Sequence, residues 1–303
     1  MPVADVRQAV HAGGPDDLEQ AAAVFGELRA RLFGIAYRML GSVTEAEDLV
    51  QDVWLRWQNA DRAVVLDPAA YLATAITRLA INATQSARAR RESYVGPWLP
   101  EPIDTSADPY LGAERSEALE FAVLLLLERL SPNERAAYVL REAFDYPYGQ
   151  IADILQLSEA AVRQLVSRAR KHVVAERRAP VGAAEQRKLL TTFVTAARSG
   201  DLAALENLFA ADVTSISDGG GVVRASRFPV VGATRVAKYY RAFASRFWAG
   251  VDVRYASVNG QVSALLSHDG VVFAMLTVVA SADGIDQLLW VMNPAKLTAV
   301  HAA

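Results

Sequence analysis

The chain has 303 residues, 52 % of them hydrophobic, a formal net charge of −3 and no cysteine. That length accommodates two or three domains with packed cores. The lack of cysteine excludes disulfides, thiolate metal sites and a cysteine nucleophile, and fits a reducing cytoplasm. No apolar run approaches the ~20 residues that span a bilayer. The N-terminal MPVADVRQAVHAGGPDD has no basic segment followed by an apolar core, so neither a membrane span nor a secretory signal is expected.

Residues 1–17 read as a tail, and residues 18–93 as a helical domain. Phe25, Leu28, Leu32, Ile35, Ala36 and Met39 recur every three or four positions, the spacing of one buried helix face. Gly41–Ser42 interrupts that helix, a second runs from Thr44 to about Gln58, and Asp67–Pro68 open a third that ends in RARRES. In the second helix Val50, Val53, Trp54 and Trp57 are spaced to enter a core. Asp48, Gln51 and Asp52, at i, i+3 and i+4, share the other side. No histidine or third acid accompanies them, so as bare chemistry this is a solvated acidic face. The third helix carries Arg88, Arg90 and Arg91 at its end, which suits either solvent or phosphate groups. Tyr71 is its only aromatic residue.

Residues 94–113 form a linker. YVGPWLPEPIDTSADPY holds four prolines and no periodicity, which forbids a regular helix. A free tether would be richer in Ser and Gly, and exposing Trp98 and Leu99 to water is costly, so this pair is expected to dock on a surface. Residues 114–178 are helical again, with Ser131–Pro132 at a helix start. Ile151, Ala152 and Leu155 form the inner face of a short helix, Leu157–Ser158 a turn, and Val162, Leu165, Val166, Ala169 and Val173 the buried stripe of a second helix. Ser158 is a suitable N-cap and Glu159 suits the positive end of the dipole. Arg163, Gln164, Ser167, Arg168, Arg170 and Lys171 then face outward, and six Lys/Arg stand against two Glu between Glu159 and Arg178. This is the pattern of a DNA-reading helix-turn-helix; a helical hairpin with a solvated polar face is the alternative.

Residues 179–184 make a hinge, and the pattern changes in 185–303. Helices at about Glu185–Ser199 and Asp201–Phe209 precede the turn-rich SDGGG at Ser217–Gly221, and another covers Thr234 to Phe247. Strand-like runs Val251–Val258, Gln261–Ser267, Val271–Ala280 and Ile285–Met292 are separated by Asn259–Gly260, Asp269–Gly270 and Asp283–Gly284, the strongest hairpin signals. An antiparallel meander with helices packed on one face is predicted. The expected fold is therefore multidomain: two small all-α domains followed by an α+β domain.

Several motifs resemble one family in order. LFGIAYRMLGS and AEDLVQDVWLRW resemble region 2 of bacterial extracytoplasmic-function (ECF) sigma factors, YLATAITRLAINATQSARARRE their promoter-melting segment, and Leu130–Val173 their region 4. WLPEP at Trp98–Pro102, DGGG at Asp218–Gly221 and NPAKL at Asn293–Leu297 resemble signatures of a subgroup with a fused C-terminal SnoaL-like cone. One departure is Ala295, where that subgroup usually has an aspartate. The resemblance implies a sigma factor with core RNA polymerase and promoter DNA as partners. Asp48, Gln51 and Asp52 would dock on polymerase. Asn82 would capture a flipped −10 base, with Arg88, Arg90 and Arg91 on the opened strand's phosphates. Arg163, Gln164, Ser167 and Arg168 would read the −35 element, with Lys171 on its phosphates. Trp98, Leu99, Pro100, Glu101 and Pro102 in the linker would meet Asp218, Gly219, Gly220 and Gly221, and Asn293, Pro294, Lys296 and Leu297, in a regulatory contact between the cone and the linker and region 2. No cofactor, metal, membrane or catalytic role is implied.

Two other readings remain. A free-standing helix-turn-helix regulator would have no need of the acidic Asp48 face. SnoaL-like cones also include cyclases and isomerases, for which Asp212, Asp218, Tyr239, Tyr240, His268 and Asp286 could supply a base and donor. His268 stands at a predicted hairpin tip, however, a poor place for a buried base.

Overall fold

The computed structural model describes residues 15–106, 119–175 and 178–300. The predicted tail up to residue 14, the end of the linker and the start of the following segment at Glu114 lie outside these. Helices α1 (Pro15–Leu40), α2 (Val43–Gln58) and α3 (Pro68–Glu92) form the first bundle. The Ser42 hydroxyl accepts from the Glu45 amide at 3.2 Å and caps α2, and Asp67 caps α3 ahead of Pro68. Leu32, Ile35, Met39, Val50, Val53, Trp57, Leu72 and Ile76 are all buried, so the apolar periodicity of each helix becomes a shared core.

The second helical group comprises α4 (Phe121–Leu127), α5 (Pro132–Tyr138), a π-helical turn at Val139–Ala143, α6 (Tyr148–Leu155) and α7 (Glu159–Ala175). Ser131 and Glu134 close a reciprocal capping box on α5. The two groups are not beads on a string. One buried apolar cluster runs from Ala21 to Val173, and Arg78 of α3 donates to the Ile154 carbonyl of α6 at 3.1 Å.

Beyond the hinge come α8 (Ala183–Ser199), α9 (Leu202–Leu208), β1 (Phe209–Asp218), β2 (Val230–Val231), α10 (Ala233–Phe247), β3 (Asp252–Val258), β4 (Gln261–His268), β5 (Val271–Ser281) and β6 (Gly284–Val291). The sheet order is β2-β1-β6-β5-β4-β3. Strands β3 to β6 are the expected meander, with positive φ at Asn259–Gly260 and Asp269–Gly270, as two-residue hairpins of this twist require. The sheet is nevertheless mixed: β1, absent from the predicted elements, pairs parallel with β6. The hinge is also pinned. Arg178 bonds to Asp212 at 2.9 Å and Asp286 at 2.5 Å, and Val181 donates to the Ala280 carbonyl at 3.2 Å.

Both faces of the sheet are covered. Leu266, Ala274, Leu276, Val278, Leu288 and Trp290 pack on Phe193 of α8 and Val236 and Tyr240 of α10. On the opposite face Leu265, Met275, Leu289 and Val291 form a cluster with Leu297, Val300, Leu99 of the linker and Phe121 of α4. Burying an aliphatic side chain such as Leu99 contributes about 2 kcal/mol.

Candidate nucleic-acid interface and interdomain junction

On α7, Arg163, Gln164, Ser167, Arg168 and Lys171 are all exposed, because Val162, Leu165, Val166, Ala169 and Val173 are buried on the other side. The Ser158 hydroxyl caps the helix from the Ala161 amide at 3.2 Å. Arg163 pairs with Glu159 at 2.7 Å and lies 5.2 Å from the Tyr148 ring centroid. Arg168 pairs with Glu134 at 3.0 Å. Gln164, Ser167 and Lys171 have no protein partner among the described residues.

Asp48, Gln51 and Asp52 are exposed together on α2, and Leu55, one turn on, is 49 % exposed. The sequence reading did not include Leu55, which extends the acidic face with an apolar patch. On α3, Asn82 and Arg88 are exposed. Arg90 reaches Glu45. Arg91 turns inward: it bonds to Glu128 and to the Leu40 carbonyl, and its guanidinium carbon lies 3.7 Å from the Trp98 ring centroid. Burial pulls its pKa down to about 10, with the charge of Arg135 adding to the effect. Arg135, buried on α5, bonds to the Met39 carbonyl at 2.6 Å and to Glu128 at 2.8 Å, so Glu128 links two arginines across the helical groups.

The linker is seated on the turn between α1 and α2. Gly41 has φ +63° and a Cβ there would stand 2.8 Å from the Trp98 ring, so the glycine both ends α1 and admits the indole. The Glu101 carboxylate accepts from the Ser42 hydroxyl at 2.8 Å and the Val43 amide at 2.7 Å, satisfying the open N-terminus of α2. Pro100 and Pro102 are buried beside it. The Tyr37 hydroxyl donates to the Glu101 carbonyl at 2.6 Å.

Asp218, at the end of β1 and 0 % exposed, gathers the junction. Its carboxylate accepts from the Tyr94 hydroxyl at 2.6 Å, the Leu99 amide at 2.9 Å, Lys296 at 2.7 Å and the Gly220 amide at 3.1 Å. Lys296 also donates to the Leu99 carbonyl and stands 4.4 Å from the Trp98 ring centroid. Burial lowers the Lys296 pKa while Asp218 opposes the shift. Burial raises that of Tyr94, and its bond to Asp218 raises it further. Asn293 donates to the Tyr94 hydroxyl at 2.8 Å; its amide lies against Gly220, where φ is +63° and a Cβ would come within 2.4 Å. Gly219 is buried and Gly221 abuts Val95. Leu297 is buried in the sheet's second cluster, whereas Pro294 and Ala295 are exposed. An acid at position 295 would stand in solvent, so Ala295 removes no buried partner.

Sequence reasoning missed a second anchor. Asn259, in the β3–β4 turn, is fully buried. Its side chain accepts from the Ile103 amide at 2.9 Å and donates to the Tyr37 hydroxyl at 2.7 Å and the Leu119 carbonyl at 3.1 Å. The Asn-Gly dipeptide was explained by the hairpin alone, and nothing local signalled a partner on α1.

The residues considered for acid–base chemistry are dispersed. Asp212 and Asp286 bind Arg178, Asp218 sits in the junction, and His268 is exposed and stacked on Phe273. Tyr239 and Tyr240 line one cavity of the domain, and Asp212 and Asp286 a separate one beside Arg178. No helix among the described residues is long and apolar enough to cross a membrane.

Comparison with known proteins agrees with this architecture. The sigma-70 region 2 family matches residues 24–90 and the sigma-70 region 4 family residues 120–173. The ECF RNA polymerase sigma factor SigJ of Mycobacterium tuberculosis is 36 % identical over 288 residues, 90 % of this chain and 92 % of that protein. The probable ECF RNA polymerase sigma factor SigI of the same organism is 34 % identical over 213 residues, 69 % of this chain and 71 % of its own length. The crystal structure of M. tuberculosis SigJ superposes with a TM-score of 0.73 at 32 % identity, covering 92 % of this chain and 98 % of that one.

Proposed function

The chain belongs to the ECF RNA polymerase sigma factors, which bind core polymerase and promoter DNA, and from that premise we propose how its surfaces are used and restrained. The acidic face of Asp48, Gln51 and Asp52, with Leu55, docks on core polymerase. Asn82, Arg88 and Arg90 engage the −10 element, and Arg163, Gln164, Ser167, Arg168 and Lys171 the −35 element. The C-terminal domain is a SnoaL-like cone that regulates in cis by holding the two helical groups together. Arg91 joins the −10 surface only when the junction opens.

The observation that carries this reading is Asp218, which ties Tyr94 and Leu99 of the linker to Lys296 of the cone in one buried cluster. The −10 and −35 elements lie some 25 base pairs apart, roughly 85 Å of duplex. A molecule in which α3 touches α6 at hydrogen-bond distance cannot place one helix on each. The cone therefore restrains initiation until the closed arrangement opens on polymerase.

The test is run-off transcription with core polymerase and promoter DNA, comparing the full chain, Asp218→Asn and a chain ending at Arg178. Both altered proteins should initiate at lower sigma concentration than the full chain. Equal or weaker initiation by both would sink the restraint. Separately, Asp48→Lys with Asp52→Lys should abolish core binding while changing folding by no more than ~0.5 kcal/mol, since both positions are exposed.

A further inference from the structure

We infer that the cavity of the C-terminal domain lined by Tyr239 and Trp290 is a binding site for a planar aromatic carboxylate. The cavity has a volume of about 480 Å³, within the range of small-molecule sites. Its walls are aromatic: Tyr239, Phe243, Phe247, Trp248 and Trp290. The floor is preformed. Trp290 donates its indole N–H to the Tyr240 hydroxyl at 2.7 Å, and that hydroxyl lies 2.6 Å from Ser215 Oγ. Phe247 stands edge-on to Trp290 at 5.6 Å and 90°. The floor's polar atoms are thus paired with one another, and what it offers a ligand is ring face, which favours a flat, polarisable partner.

The charge comes from Arg224 and Arg246, which also line the cavity. Both are exposed, and neither forms an ion pair with any described residue. No carboxylate or histidine lines the cavity. Two cations lining one apolar cavity make its potential positive, which favours an anionic ligand over a neutral one. A guanidinium fork matches a carboxylate in plane. The half-buried Tyr239, a phenol whose pKa burial raises above its ordinary value, adds a donor. Without a base among its lining residues, the cavity suits binding rather than turnover. The site stands on its own observations, whether or not the cone restrains the DNA-reading helices.

The probes are naphthalene-2-carboxylate and its neutral isostere naphthalene-2-carboxamide, titrated into the full chain by calorimetry and by quenching of tryptophan fluorescence. The acid should bind about tenfold more tightly than the amide, the difference expected for one charged hydrogen bond. Arg224→Gln with Arg246→Gln should erase that preference while leaving the melting temperature unchanged, because both arginines are exposed. Equal affinity for acid and amide in the native protein would overturn the proposal. So would a preference that survives in the double variant, tighter binding of AMP than of the carboxylate, or no binding of the acid at millimolar concentration.

Discussion

Asn259 shows how much one side chain can hold. It sits at a positive φ, which Asn tolerates better than most residues, and spends its amide on three groups from three other parts of the chain. Asn259→Ala leaves the Ile103 amide and Leu119 carbonyl without these bonds in a buried setting. It should cost about 2 kcal/mol in urea denaturation and raise the accessibility of Trp98 to quencher. A loss below ~0.5 kcal/mol, the level of a surface change, would mean that the β3–β4 turn is not an anchor. The residue was legible as a turn former and illegible as an anchor, because its partner Tyr37 lies 222 positions away. By contrast, the outward positions of α7 could be read directly, since a 3.6-residue stripe fixes both faces of a helix at once.

At the level of elements, helices with strong apolar periodicity and the four hairpin-linked strands could be read from sequence. Strand β1 could not. Its buried positions include Ser215, Ser217 and Asp218, with Ser215 bonded to Tyr240 and Asp218 to Tyr94 and Lys296 from elsewhere, so the apolar alternation that marks a half-buried strand is missing. Helix α5 offers a pH test. Burial alone would raise the Glu134 pKa, but its bonds to the Ser131 hydroxyl and amide, and then to Arg168, outweigh this and hold it below the ordinary value. A carboxylate with a depressed folded-state pKa contributes stability above its unfolded pKa and loses it as pH falls through the folded one. Glu134→Gln should therefore destabilise the protein at pH 7 and become indistinguishable from wild type once pH is below that folded value. A constant difference across the range would show that the ionised carboxylate is not the cause. For α7 the expectation concerns DNA. Arg163→Ala should cost about 1–3 kcal/mol on the cognate −35 element and relax preference at one position, while Lys171→Ala weakens all sequences alike and flattens the salt dependence. An Arg163→Ala penalty that is uniform across sequences would reassign that side chain to a phosphate.

For the whole molecule, the distribution of exposure between the two kinds of surface sets an order of events. The acidic face of α2 is open to solvent in the closed arrangement, whereas Arg91 is engaged by Glu128, Leu40 and Trp98 and α3 is held against α6. On the docking role proposed for this face, polymerase meets a complete surface before any part of the molecule has moved. Capture should be steered by charge, fast and dependent on salt and on polymerase concentration; the rearrangement that follows is unimolecular. Stopped-flow mixing of the protein with excess core polymerase, read by Trp98 fluorescence, should resolve two phases, the slower one reaching a rate that no longer rises with polymerase. Asp218→Asn should accelerate the slow phase and leave the fast one alone. A single phase whose rate rises indefinitely would place opening before capture. If the order holds, this sigma factor occupies polymerase as a silent passenger first, and the interval before promoter engagement is a timer written into the junction rather than into the encounter.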